Sequence, residues 1–429
     1  MRGTSHRGSF RFAGTALAVL LAGGCASSPH PPFAPPSAEE TRRLKSSGYE
    51  LPPVLDAKTL ATPAQLQGPN HRIAKRVYSN DRLHVYTIES EAGTFYAWGD
   101  DVLDARIREI AAIQAMNEMR TTEEFATAAN DARANSLVAE WNLISEPVDS
   151  AIGVPQEAWK RANAKGSDRA ERRALKAFGH RKREIAAEFA VDPYSSNATL
   201  QRELNRLGWA VYAGGLPSMF VPAGVEATGE GDRMLEILRQ YSPREIERLN
   251  RIELRVIGVP KPLTDEFIRN PWYSPRYATL LVADLAALSK ARKRETFIEI
   301  AATARSESEQ DARYFQRSAE LMRQYDRNRG RIEEIIEVEG TLIGLTENGK
   351  RVVPYPADFA VWSESTAALT DSFTRAVPTD VPEMPTELLL AGSASPAAHR
   401  QLESRGVTVV EHAFHALRPA PGTSDAGIE

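Results

Sequence analysis

The sequence predicts an α+β protein: a mainly helical central bundle, a small N-terminal antiparallel sheet, and a C-terminal domain with a β-hairpin and a β-α-β unit. Three observations predict it. β-Branched and aromatic runs cluster between Arg76 and Trp98. The region after them carries apolar residues at helical spacing behind recognisable capping signals. Beyond residue 330 short apolar runs return, and Asn348-Gly349 separates two of them as a hairpin turn. With 42% hydrophobic and 26% charged residues in 429, the composition excludes collagen-like, wholly disordered and multi-span membrane classes.

The elements follow in chain order. Arg2, Arg7 and Arg11 precede an apolar run from Phe12 to Leu21, the layout of a secretory signal peptide, with too few residues for a membrane span. The run closes on Leu21-Ala22-Gly23-Gly24-Cys25, which resembles the lipobox of bacterial lipoproteins; Ala22 stands where that motif most often has Leu. The resemblance implies residues 1–24 as a removed signal peptide and Cys25 as the acylated first residue, carrying lipid such as palmitate. Ala26, rather than Asp, follows it, which resembles lipoproteins sorted to the outer membrane of the bacterial envelope. Loss of three arginines and no acid takes the net charge from −4 to −7. The one cysteine also excludes an intramolecular disulfide and a Cys-rich zinc site.

Residues 25–75 read as a lipid-anchored Pro-rich tether continuing into extended chain, with five prolines between Pro29 and Pro36 and more at Pro52, Pro53, Pro63 and Pro69. Residues 76–330 read as the small sheet plus the helical body. Asp100 or Asp101 is expected to cap the first long helix. Thr121 with Glu124, Ser242-Pro243 with Glu245, Ser274-Pro275, and Ser306 with Glu309 mark further helix starts. Asp192-Pro193-Tyr194-Ser195 and Asn270-Pro271-Trp272-Tyr273-Ser274 echo one another, as two helix starts sharing the same chemistry would. Residues 331–417 read as a C-terminal α/β domain: strands at 335–338, 341–345 and 351–353, a helix from Ala357 to Phe373, and a strand–helix–strand unit across 387–410. Residues 418–429 read as a disordered tail.

The most distinctive charge feature runs from Lys160 to Glu184. Ten basic residues, Lys160, Arg161, Lys165, Arg169, Arg172, Arg173, Lys176, Arg181, Lys182 and Arg183, face three acids, a local charge of +7. Such a segment suits anionic lipid headgroups or an acidic envelope protein; its bland reading is a solvated helix face with Ala174, Phe178, Ile185 and Phe189 turned inward. Nucleic acid is not expected, for want of interleaved aromatics. The glutamates at 333, 334, 337 and 339 offer a complementary acidic cluster.

No catalytic, metal or cofactor residue is assigned. His412 and His415 lack further patterned ligands and read as a surface pair. Gly392-Ser393-Ala394-Ser395 sits between strand and helix but lacks G-x-S-x-G, and capping accounts for Ser395. Trp272 and Tyr273 read as core anchors of the helix start, with stacking on a glycan as the alternative. Met219, Phe220 and Val221, within the glycine-rich run 214–231, read as folding back on the core, with contact to a membrane or a partner groove as the alternative. The expected function is a lipid-anchored envelope protein with a non-catalytic binding or structural role; the alternative is a lipid-anchored hydrolase acting on an envelope glycan or peptide. A buried cluster of acids and histidines in a cleft would favour the hydrolase. A basic stripe continuous with an exposed apolar patch would favour the binder.

Overall fold

In the computed structural model, which describes residues 37–80, 82–133, 169–214, 233–303, 308–375 and 384–418, the period-two runs after Arg76 become an antiparallel sheet. Its strands are β1 (Val54–Asp56), β2 (Gln67–Gly68), β3 (His71–Ile73), β4 (Arg76–Ser79), β5 (His84–Ser90) and β6 (Gly93–Trp98). They are ordered β1-β4-β5-β3-β2, and β6 pairs with the other edge of β5. Val77, Tyr86, Ile88, Phe95 and Ala97 form its core face, because alternate side chains of a strand point to one side.

The stretch read as extended chain is more ordered than expected. It holds α1 (Ala38–Ser46), α2 (Pro63–Leu66) and the strands β1 to β3. Pro29 to Pro36 of the expected tether lie outside the described residues, and Pro63 opens α2 behind a Thr62–Gln65 capping box.

The helices divide between two cores. α3 (Asp100–Met119), α4 (Glu123–Arg133), α5 (Arg169–Glu188) and α6 (Ala198–Gly214) pack on the N-terminal sheet through Ile110, Ile113, Ile185, Phe189, Leu200 and Leu204. After α7 (Arg233–Gln240), a second group comprises α8 (Pro243–Val256), α9 (Lys261–Arg269), α10 (Pro275–Ala287), α11 (Arg294–Ala302) and α12 (Glu309–Asn328). Leu254, Phe267, Leu281, Phe297 and Met322 of this group share a core with the C-terminal sheet.

Three helix starts are capped as the spacing predicts: Ser242 with Glu245 as a capping box, and Ser274 and Ser395 each accepting from an amide three residues on. Others shift by a residue or two. Thr122, not Thr121, accepts from Phe125 N, and Ser308 caps α12, Ser306 lying outside the described residues. Gly99 takes the N-cap of α3, so Asp100 and Asp101 fall in its first turn, where carboxylates complement the helix dipole. The paired motif holds as shared turn chemistry: Tyr194 N donates to Asp192 Oδ1 at 2.7 Å, and Trp272 N to Asn270 Oδ1 at 3.0 Å. Tyr273 is buried and donates its hydroxyl to Ala301 O, the anchoring role expected of it.

The C-terminal sheet is mixed, ordered β13-β11-β9-β8-β7. β7 (Ile332–Val338), β8 (Thr341–Thr346) and β9 (Arg351–Tyr355) are antiparallel neighbours. β11 (Thr386–Leu390) then runs parallel to β9 and to β13 (Val407–Val410), with α14 (Pro396–Glu403) as the crossover. Both faces are covered, as a parallel sheet requires: Ile332, Val352 and Leu389 face the helices, while Val353, Leu388 and Leu390 face the opposite side. The helix expected from Ala357 begins later, as α13 (Glu364–Arg375). Phe359–Ala360 instead forms β10, parallel to β12 (Ser393–Ala394), and Ser363 Oγ accepts from Thr366 N at the helix start. A short α15 (Ala413–Ala416) follows β13. Every described residue belongs to the unit Pro35–Glu429, and among them no helix is long and apolar enough to cross a membrane.

Candidate functional site: a charged cleft where both sheets meet α12

The start of β5, the first turn of α3, the N-terminal half of α12 and the loops around β10 and β12 converge on one cleft of about 610 Å³. That volume lies within the range of small-ligand sites. His84, Asp100, Asp101, Arg313, Arg317 and Asp358 supply most of its charge.

His84 enters through a tight turn in which Asn80 Oδ1 accepts from Arg82 N and Leu83 N. Its side chain is 3% exposed, and Nδ1 lies 2.8 Å from Asp100 Oδ1. That same oxygen accepts the Tyr86 hydroxyl at 2.5 Å. His84 Nε2 is buried without a hydrogen-bond partner. Burial alone would lower the imidazole's pKa, but the hydrogen bond and charge of Asp100, with the charge of Asp358, outweigh it and raise the value. Burial and Asp100 push the Tyr86 hydroxyl far above the ordinary tyrosine range, so it remains a donor.

Asp358 joins the two ends of the molecule. Its Oδ2 accepts from His84 N at 2.9 Å and Asp100 N at 3.2 Å, while its own amide donates to Arg82 O at 2.8 Å. Burial, then the nearby charge of Asp100, push its carboxyl up to about 7, with His84 opposing. The cradle depends on Gly392. A Cβ built there would lie 1.9 Å from Asp358 O, so only glycine lets the two backbones approach this closely.

Arg313 is the cation under the cleft. It is 6% exposed, donates from Nη1 to Trp98 O at 2.6 Å, and pairs through Nη2 with Asp101. Gly99 makes room for it: its φ is +109°, and a Cβ would stand 2.9 Å from Arg313 Nη2. Burial raises the Asp101 carboxyl, but Arg313 and Arg317 outweigh it and hold the group below the usual range. Arg317 lies over the Phe414 ring at 3.6 Å and pairs with Glu320 at 2.7 Å. Arg82 covers Tyr314 and lies 3.8 Å from Asp311.

His84, Asp100 and Asp358 each place one ligand-type atom within 4.8 Å of the others, the arrangement of a compact cation site. The observed bonds already use it otherwise, since one Asp358 oxygen is held by two amides and Asp100 by His84 and Tyr86. The arrangement can hold a proton between His84 and Asp100, and it can present charge to a ligand in the cleft.

The basic segment assigned from the sequence lies elsewhere. Cys25, Lys160, Arg161 and Lys165 are outside the described residues, as are the side chains of Arg169 and Arg172 on α5. Arg173, Lys176 and Arg181 are exposed. Lys182 and Arg183 are corrected. Lys182 Nζ donates to Gln201 Oε1 at 2.6 Å, and burial pushes its ammonium down to about 8 against the charge of Asp192. Arg183 is buried and donates to Arg239 O and Gly179 O. At 100° per residue Lys182 falls among Leu175, Phe178, Ile185 and Phe189, so it belongs to the inward arc of the helix. Glu334 of the acidic cluster takes Arg292 and Lys293 as its partners.

Sequence spacing did not reveal His84, Asp100, Asp101, Arg313 or Asp358 as a set. The two aspartates looked like helix caps, and Asp358 lies 274 residues from the amide it holds. His412 lines the cleft, exposed, and His415 is exposed beyond it. Compared with protein-family models, curated proteins and solved structures, the chain shows no significant match to any of them.

Proposed function

We propose that the chain is a lipid-anchored cell-envelope protein, held at the outer membrane through Cys25, whose body has a non-catalytic binding or structural role toward anionic partners. One observation carries the non-catalytic reading: the charged groups of the cleft engage one another or backbone amides. Arg313 holds Asp101, Asp100 holds His84 and Tyr86, and Asp358 holds two backbone amides. A polar network of this kind specifies a junction. The exposed Arg173, Lys176 and Arg181 supply the surface for an anionic partner.

Cys25→Ala tests the anchor. Release from the membrane fraction is the expected outcome, and retention there refutes it. A second reading, a lipid-anchored hydrolase acting on an envelope glycan or peptide, is favoured by the buried, unpartnered Nε2 of His84 backed by Asp100, the geometry of a general base and its orienting carboxylate. The two readings separate on purified envelope glycan and peptide. The non-catalytic protein releases no product, whereas turnover that disappears in His84→Gln establishes the hydrolase.

A further inference from the structure

Four of the five large hydrophobic residues that are exposed among the described residues lie within one short stretch: Tyr241 at 40%, Leu249 at 48%, Ile252 at 45% and Val256 at 71%. The last three recur on one side of α8 at helical spacing. The helix does not need them for its own packing, since Ile246, Asn250 and Leu254 already form its inward face. A helix with a second apolar stripe, turned to solvent, has the two-sided pattern of a surface helix with something to cover.

Charge indicates what covers it. Arg248 and Arg255 are exposed on α8 and flank one edge of the stripe. Lys176 is exposed on α5, and after the Ser242 bonds that chiefly lower Glu245 its charge also acts on that carboxylate at the first turn of α8. Arg173 is exposed one turn before Lys176 on α5. An apolar stripe with cations along one edge matches a bilayer interface, where side chains enter below the headgroups and guanidinium groups meet phosphates.

We propose that Leu249, Ile252 and Val256, with Arg248 and Arg255 beside them, dock the body of this protein on an anionic phospholipid surface. The inference rests on the lipid-anchor reading, because a tether raises the local concentration of membrane so far that a small patch suffices. It commits to phospholipid; the chain's own residues 215–232 and a second copy of the chain are the competing occupants.

The test uses the full-length lipidated chain with an environment-sensitive fluorophore attached at Ile252→Cys, and a control label at Glu339→Cys on the exposed β7–β8 turn. Vesicles contain phosphatidylcholine with or without phosphatidylglycerol and a headgroup-region quencher. The expected result is quenching at position 252 several-fold above that at 339 with phosphatidylglycerol present. It should fall several-fold in neutral vesicles and in Arg248→Glu with Arg255→Glu, surface changes that leave the circular dichroism unaltered. Equal quenching at both positions overturns the proposal. So does a label at 252 that is shielded from aqueous iodide before vesicles are added, since the chain itself or a second copy then covers the stripe. Vesicle flotation separates the two proposals. A membrane-purified chain whose Cys25 mass spectrometry finds unmodified, and which still floats with anionic vesicles and buries position 252, removes the anchor but upholds the docking face.

Discussion

Gly392→Ala is expected to open the seam between residues 357–360 and 392–395, which positions Asp358 under the His84 and Asp100 amides. The new methyl carbon would sit 1.9 Å from Asp358 O, 2.7 Å from its carbonyl carbon and 3.0 Å from its Cα. These are backbone atoms, so no rotamer change relieves the overlap, and one strand must retreat by about 1.5 Å to reach ordinary contact. Hydrogen bonds across this seam include Gly392 N to Ala357 O at 2.8 Å, Ser393 N to Asp358 O at 3.1 Å, and Ser395 N to Ala360 O at 2.8 Å. At about 1 kcal/mol net each, their loss costs about 3 kcal/mol. That is a large fraction of the 5–15 kcal/mol typical of a folded domain. Denaturant unfolding of purified wild type and variant measures the cost, and hydrogen exchange at the His84 and Asp100 amides reports whether Asp358 has moved. A variant within about 0.5 kcal/mol of wild type, with both amides equally protected, would refute the reasoning.

Asp358→Ala strands the buried His84 amide and the part-buried Asp100 amide and is expected to cost about 2–3 kcal/mol in denaturant unfolding, whereas Asp358→Asn keeps an acceptor oxygen and should cost under about 1 kcal/mol. Because the folded-state pKa values of Asp358 and His84 are raised, their contributions are full at low pH and are lost as pH rises through those values. Thermal unfolding midpoints should therefore fall between pH 5 and about 8, with a shallower slope in Asp358→Asn; an identical slope counts against the assignment. Arg313→Met leaves Asp101 with only the more distant Arg317 and is expected to cost about 3 kcal/mol, with Arg313→Lys recovering part of it because one ammonium cannot span Trp98 O and Asp101 together. Ser395→Ala removes the α14 cap and a donor to Glu50, for an expected loss of about 1 kcal/mol and faster exchange at the Ala398 amide.

Local signals carried much of the fold. The caps at Ser242, Ser274 and Ser395, the Asn348-Gly349 turn and the β-α-β pattern at 387–410 act over a few residues, and each appears where its spacing places it. The cleft was illegible for the opposite reason. His84, Asp100, Arg313 and Asp358 meet only because two sheets and α12 converge, and no period in the chain relates them. Lys182 and Arg183 show a third case, where the information was present. Counting charge along the segment hid what angle around the helix reveals, that Lys182 shares the arc of Phe178 and Ile185.

Glu50 lies ahead of every strand, yet it is fastened to the far end of the chain. Its amide donates to Trp362 O at 2.9 Å, its carboxylate accepts from Trp362 N at 2.7 Å, and Ser395 Oγ donates to the same oxygen. Arg43, one helix earlier, reaches Glu364. A pull on the N-terminal end of the body therefore loads this clasp before it reaches β1, the edge strand held only by β4. Edge strands unzip one pair at a time under such tension. With the clasp closed the force passes into the β10–β12 region instead, and the N-terminal sheet is spared the peeling geometry that breaks sheets most easily.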